Sequence, residues 1–279
     1  MNLLLVDIGN TRAKWRLARA TGDDVDAVGP NGAVALADVA TLDVAWRTLP
    51  ARPDAVFVSN VASPACETAV RAAATAAWPG VPVRPVHAVA SQCGVTNGYH
   101  DPSRLGPDRW LSLIAAHALV PGRSALVCGF GTATTIDLLE AGDDPHDAAR
   151  FVGGLILPGV DTMRRALSTS TARLPLAAGR IVDFADRTDD AIESGIACAQ
   201  AGAVERAWGD ACARAARRER PPPAACVVGG GAAAPIAALL SPRLPVTIPH
   251  DLVLRGLGLV AFATLADERA RTPPPARST

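Results

Sequence analysis

The sequence predicts an α/β fold of two similar domains, and three observations carry that expectation. Apolar strand-like runs alternate with helical stretches along most of the chain. Two segments, LLVDIGNT (residues 4–11) and LVCGFGTA (126–133), align without a gap at positions 122 residues apart. Each reads as strand, small-residue turn, strand, which implies a duplicated unit. With 279 residues and 49% hydrophobic side chains, the chain has material for two cores and is too apolar for wholesale disorder. The expected domains are 1–115 and 116–268, followed by a disordered tail over 269–279.

The elements follow in order. Residues 3–9 and 13–19 read as strands around a polar turn. DAVFVSNVA (54–62) is a buried strand, and ETAVRAAATAAW (67–78) is the helix after it. VPVRPVHAV (81–89) is a strand that its prolines confine to an edge. GPDRWLSLIAAHALV (106–120) spaces its apolar residues helically, with Pro107 near the start, where a helix tolerates it. SALVCGF (124–130), GTATT and IDLLE (136–140) repeat the strand–turn–strand pattern. The stretch 191–220 is the longest helical one, and its basic end suits the negative pole of a helix. Pro221–Pro223 stop it, and ACVVGGGA (225–232) returns to a strand that ends in a glycine turn.

Composition excludes several classes. Formal net charge is zero, which argues against nucleic acid or an anionic membrane as the main partner. The six cysteines show no CxxC spacing and read as reduced, structural thiols of a cytoplasmic protein. The five histidines show no ligand spacing, so no protein-held metal is expected. Leu3–Val6 is too short for a signal peptide, and the apolar window 224–240 contains three glycines and a proline, so no membrane span is expected.

The chemistry concentrates in two stretches. DIGNTRAK, comprising Asp7, Ile8, Gly9, Asn10, Thr11, Arg12, Ala13 and Lys14, offers backbone N–H groups, polar side chains and a cation around a tight turn. Such a concave donor array suits a phosphate chain, and Asp7 at the strand end suits a hydrated Mg²⁺ on those phosphates. Lys14 is the single lysine among 27 basic residues, so a compact ammonium occurs only on this turn. Running strand to strand, the turn is not the GxxxxGK[ST] loop. An ordinary hairpin with a surface lysine is the bland alternative. Gly229–Gly231 fit an adenosine contact or equally a helix-capping loop. In GYHDPSRLGPDRW (98–110), Asp108 serves either as a carboxylate favourable to a helix start or as the acceptor of a substrate hydroxyl proton. Arg109 beside it suits an anionic or carbonyl group of the acceptor.

Taken together, DIGNTRAKW, Tyr99 with GPDRW, GTATTID, GGLILPG, RTDDAIESG and VVGGGA resemble the type III pantothenate kinases, over Met1 to about Leu265. The first turn is similar to the phosphate loops of the actin, heat-shock-protein and sugar-kinase superfamily. The resemblance implies two actin-like (ribonuclease-H-like) domains with a nucleotide cleft between them. It implies Mg²⁺-dependent transfer from ATP to pantothenate in coenzyme A synthesis, by a cytoplasmic homodimer; the long helices of the second domain are the expected interface. It also implies Asp108 as the proton acceptor and residues 7–14 with Thr132 on ATP. Tyr99, Gly106, Pro107, Asp108, Arg109 and Thr188 would lie on pantothenate. Members commonly carry aspartate where this chain has Gly129, and that aspartate is associated with a K⁺ or NH₄⁺ site; glycine supplies no carboxylate, which puts the requirement in doubt. Two alternatives remain open: another phosphotransferase or phosphatase of the superfamily, and a transcriptional accessory factor.

Overall fold

The computed structural model describes residues 1–21, 24–26, 30–144, 147–170 and 179–271. In chain order the first elements are β1 (Asn2–Ile8), β2 (Arg12–Thr21), β3 (Asp24–Asp26), β4 (Asn31–Ala35), α1 (Leu42–Arg47), β5 (Ala55–Asn60), α2 (Pro64–Ala77) and β6 (Val83–Pro85). Short strands β7 (Ser91–Gln92) and β8 (Val95–Asn97) precede α3 (Pro107–Leu119). Then come β9 (Ala125–Phe130), β10 (Ala133–Glu140), β11 (Ala149–Pro158), α4 (Val160–Ser170), α5 (Thr188–Arg217), β12 (Ala225–Gly229), α6 (Ala233–Ala237), β13 (Val246–Thr247) and α7 (Leu252–Arg271).

Two sheets of one design result. In the first, β1 pairs antiparallel with β2 and parallel with β5, in the order β3-β2-β1-β5-β6, with β4 also on β2. In the second, β9 pairs antiparallel with β10 and parallel with β12, within the order β13-β12-β9-β10-β11-β8-β7. The α/β class and the duplicated hairpin expected from 4–11 and 126–133 are thus both observed.

The alternation of a strand decides which face is buried. Leu4, Val6 and Ile8 of β1 join Ala13 and Trp15 of β2 and Val56 and Val58 of β5, against Trp46 of α1 and Val70 of α2. In the second sheet Leu126, Cys128, Phe130 and Ile136 meet Ala201 and Val204 of α5 and Val228 of β12.

The chain falls into two compact units that are not contiguous in sequence. One holds Met1–Cys93, Ser103–Ala115 and the chain from Val253; the other holds Gly94–Pro102 and Ala116–Leu252. A single boundary near 115 therefore omits two features. Residues 94–102 supply β8 to the second sheet, and α7 belongs with the N-terminal strands, where Glu268 pairs with Arg84 of β6. The chain is helical to Arg271, so a tail from 269 begins inside α7. Residues 272–279, the rest of the expected tail, lie outside the described residues.

Strand and helix bounds differ mainly at prolines. The expected helix at 67–78 begins at Pro64, which takes the first helical position. The expected strand at 81–89 shrinks to Val83–Pro85, at the sheet edge where its prolines confine it.

Candidate active site

The first turn is built by register. Asp7 stands opposite Lys14 on β2 and beside Ser59 on β5, so the three side chains share the face turned away from Leu4, Val6 and Ile8. Asp7 and Lys14 are half-buried, while Asn10, Thr11 and Arg12 are exposed. The Gly9 N–H donates to the Arg12 carbonyl at 3.0 Å and closes the turn. Gly9 lies outside the positive-φ region, so an unusual backbone angle is not its contribution. A Cβ there would sit 3.3 Å from the Arg12 oxygen, and its absence keeps the turn tight and approachable.

The start of α3 adjoins the same strand end. The Val61 N–H donates to the Ile8 carbonyl at 3.0 Å. A Cβ at Gly106 would lie 3.9 Å from Val61 Cγ1 and only 2.7 Å from Asp108 Oδ1. Glycine at 106 is therefore what lets the carboxylate fold back over the turn. Pro107 is the first helical residue, and Asp108 Oδ1 accepts the Arg109 N–H at 2.8 Å. Asp108 thus serves the helix start and is half-buried. Burial pushes its carboxyl above the ordinary aspartate range, opposed by the Arg109 N–H and guanidinium. Arg109 is itself buried.

In the other unit the second turn occupies the matching place and is one residue shorter. The Gly131 N–H donates to the Ala133 carbonyl at 3.1 Å. Gly129 pairs with Thr135 and Gly229, as Asp7 pairs with Lys14 and Ser59. A Cβ on Gly129 would stand 2.9 Å from Thr135 Oγ1. The Thr132 carbonyl accepts from the Gly159 N–H at 3.0 Å and the Thr162 hydroxyl at 2.7 Å, so the entry to α4 pins the turn. The glycine loop presses on the same strand: Gly230 has φ +102, and a Cβ there would meet the Phe130 oxygen at 2.3 Å.

Thr188 is the first residue of α5, and Arg187 holds the cap position without a side-chain cap bond. The threonine is therefore not spent on capping. It lines a groove of about 650 Å³ between α4 and α5 with Pro158, Thr162, Met163, Ile192 and Gly195. Through Thr162 this groove adjoins Thr132. Tyr99 is placed elsewhere in the unit: it packs against Phe151 with ring centroids 5.1 Å apart, toward the start of β11, whereas Pro158 ends that strand.

The expected residues therefore gather in two sets. Residues 7–14 and 106–109 share one unit; Thr132 and Thr188 share the other, with Tyr99 apart from them. Asp137 and Gln200 are among the buried polar residues that were not anticipated. Asp137 lies on the same face of β10 as Thr135, and Gln200 of α5 reaches Thr134. The signal for Gln200 was present: it is the polar member of an apolar stripe, Ile192, Ile196, Gln200, Val204, spaced by four.

Among the described residues, no group of three His, Cys, Asp or Glu is suited to holding a metal. Asp7 alone still fits Mg²⁺ carried in on a nucleotide, because that ion keeps most of its ligands from water and phosphate. Among the described residues no helix is long and apolar enough to cross a membrane.

Comparison with known proteins adds to this geometry. The family model described as type III pantothenate kinase matches residues 3–210. A relative of that name from Burkholderia thailandensis is 43% identical over 284 residues, covering 93% of this chain and 98% of its own. Another, from Burkholderia cenocepacia, is 43% identical over 217 residues, 74% of this chain and 78% of its own. Among solved structures, one titled a conserved putative Baf family transcriptional activator from Campylobacter jejuni superposes with a TM-score of 0.52 at 17% identity. It covers 96% of this chain and all of that one, and it bears on the fold alone.

Proposed function

The chain belongs to the type III pantothenate kinase family, and from that premise we propose that it transfers the γ-phosphoryl group of ATP to the primary hydroxyl of pantothenate. The observation that carries the reading is the half-buried Asp108 carboxylate, folded over Gly106 and next, through Val61, to the Ile8 end of the first turn. A base of raised pKa beside a phosphate-binding turn is the arrangement that proton removal during phosphoryl transfer requires.

In this reading Asp7 to Lys14 and Thr132 hold the phosphates. Asp108 takes the hydroxyl proton as the new O–P bond forms and ADP leaves. Arg109 holds an anionic or carbonyl group of pantothenate, with Gly106 and Pro107 also on that substrate; Tyr99 and Thr188, which lie apart from one another in the other unit, come to it only as the family resemblance implies. Mg²⁺, when bound with ATP, offsets charge on the phosphates, and Asp7 is the residue that orients it.

Gly129 brings no carboxylate, and Thr135 Oγ1 stands beside it, so we read the enzyme as independent of K⁺ and NH₄⁺. The reading further includes a homodimer joined along α5 and a cytoplasmic location, with which six free thiols accord.

The test is a phosphotransfer assay with ATP, Mg²⁺ and pantothenate in Na⁺, with and without added K⁺ or NH₄⁺. Phosphopantothenate is expected in both arms at comparable rates. Product only with K⁺ would overturn the cation reading and direct attention to Asp137; no product in either arm would overturn the choice of acceptor.

A further inference from the structure

We propose that Gln200 is a positioning residue for the second phosphate turn. The inference rests on the reading above only in taking the 131–132 turn as nucleotide-binding. Gln200 is fully buried on α5. Its Nε2 donates to the Pro158 carbonyl at 2.8 Å and lies 3.3 Å from Met163 Sδ. A carbonyl can only accept, so the amide orientation is fixed and Oε1 must face Thr134. There it accepts the Thr134 hydroxyl at 2.6 Å.

These two contacts clasp the turn on both sides. Thr134 follows Thr132 by two residues on β10, and Pro158 pairs with Ala133 at the end of β11. The residue after Pro158 is Gly159, whose N–H holds the Thr132 carbonyl. One side chain therefore sets the height and direction of the two strand ends that frame Thr132.

Stability alone does not call for this arrangement. The surroundings are apolar, formed by Phe130, Ile136, Ala201 and Val204. Replacing both members of a buried hydrogen-bonded pair by apolar groups of similar shape is often nearly neutral, whereas removing one strands the other. What the amide supplies that a leucine would not is a directional tie.

The experiment compares Gln200→Leu, Thr134→Val, the double variant and Thr134→Ser in the full chain. It reads Tm, the KM values for ATP and pantothenate, kcat, and the Kd of Mg²⁺-ATP by calorimetry. Each apolar single variant should lower Tm and raise the ATP KM and Kd about tenfold, roughly 1.4 kcal/mol. The pantothenate KM should stay within twofold. The double variant should recover only part of the lost Tm, since the Pro158 carbonyl stays without its donor, and should keep the tenfold ATP defect; Thr134→Ser should behave as wild type. Recovery of both Tm and ATP affinity in the double variant would make the pair merely structural and overturn the proposal. So would an unchanged ATP Kd in any folded apolar variant. If the wild type bound ATP but did not phosphorylate pantothenate, the choice of acceptor would fall and the ATP Kd values would still decide on Gln200.

Discussion

Asp108 carries two demands that pull its carboxyl in opposite directions. Burial favours the protonated form, and the Arg109 N–H and guanidinium favour the ionised one; burial prevails. A folded pKa above the unfolded value means that ionisation opposes folding. The penalty is present above the folded pKa and vanishes as pH falls below the ordinary value of about 3.9. Asp108→Asn is therefore expected to raise Tm at pH 7 while lowering kcat by roughly 10²–10⁴. Melting scans and steady-state kinetics check both, and near-wild-type turnover would remove Asp108 from the role of base. The same shift places the acid limb of the wild-type kcat/KM profile above that of an ordinary aspartate; a limb at or below about 3.9 would contradict it. At Lys14, which faces Asp7 across the hairpin, charge alone does not suffice in this reading. An ammonium is a compact, strongly hydrated point charge, and a guanidinium is a broad planar fork. Lys14→Arg should raise the ATP KM about tenfold, or 1.4 kcal/mol, and unchanged ATP kinetics would return Lys14 to the status of a surface residue.

At the scale of elements, the second turn owes its shape to what presses on it. Gly159 and Thr162 at the entry to α4 hold the Thr132 carbonyl, and the Gly230 loop lies against Phe130. At Gly230 a φ of +102 and a Cβ 2.3 Å from a backbone oxygen act together. Gly230→Ala should thus cost about 2–4 kcal/mol, seen as a lower urea midpoint at unchanged slope. A midpoint within error of wild type would show that the loop relaxes freely. The α4–α5 pair is fastened differently, by the Arg164 guanidinium forking onto the Glu193 carboxylate at 2.6 and 2.8 Å. That clamp fixes the walls of the groove that Thr188 lines.

For the whole molecule, the open question is what lies along α5. A Cβ at Gly195, Gly202 or Gly209, seven residues apart, would meet no atom within 4 Å, so one stripe of the helix is open. Two turns separate each pair, which keeps them near one face. If a second copy packs there, wild-type chain should sediment at twice 28.6 kDa. Gly202→Arg, which adds helix propensity while blocking close approach, should then shift it to the monomer mass. A monomeric wild type, or a dimer indifferent to the substitution, would send the interface elsewhere.

Much of this was legible in the residues. The pattern of apolar runs gave the α/β class, and the aligned LLVDIGNT and LVCGFGTA gave the paired hairpins, because strand and turn chemistry are local. Asp7, Lys14 and Asp108 stood out for the same reason: their types and spacing already state a chemistry. Hidden were the contacts between residues far apart in sequence. The return of α7 to the N-terminal strands, the fold of Asp108 over Gly106 beside Val61, and the reach of Gln200 to Thr134 and Pro158 depend on which elements pack together. The sequence by itself determined which groups are available for phosphate and proton chemistry, since composition and local periodicity do not await folding. Only the tertiary structure decided their depth and direction, because burial and hydrogen-bond geometry are set by neighbours brought from tens of residues away.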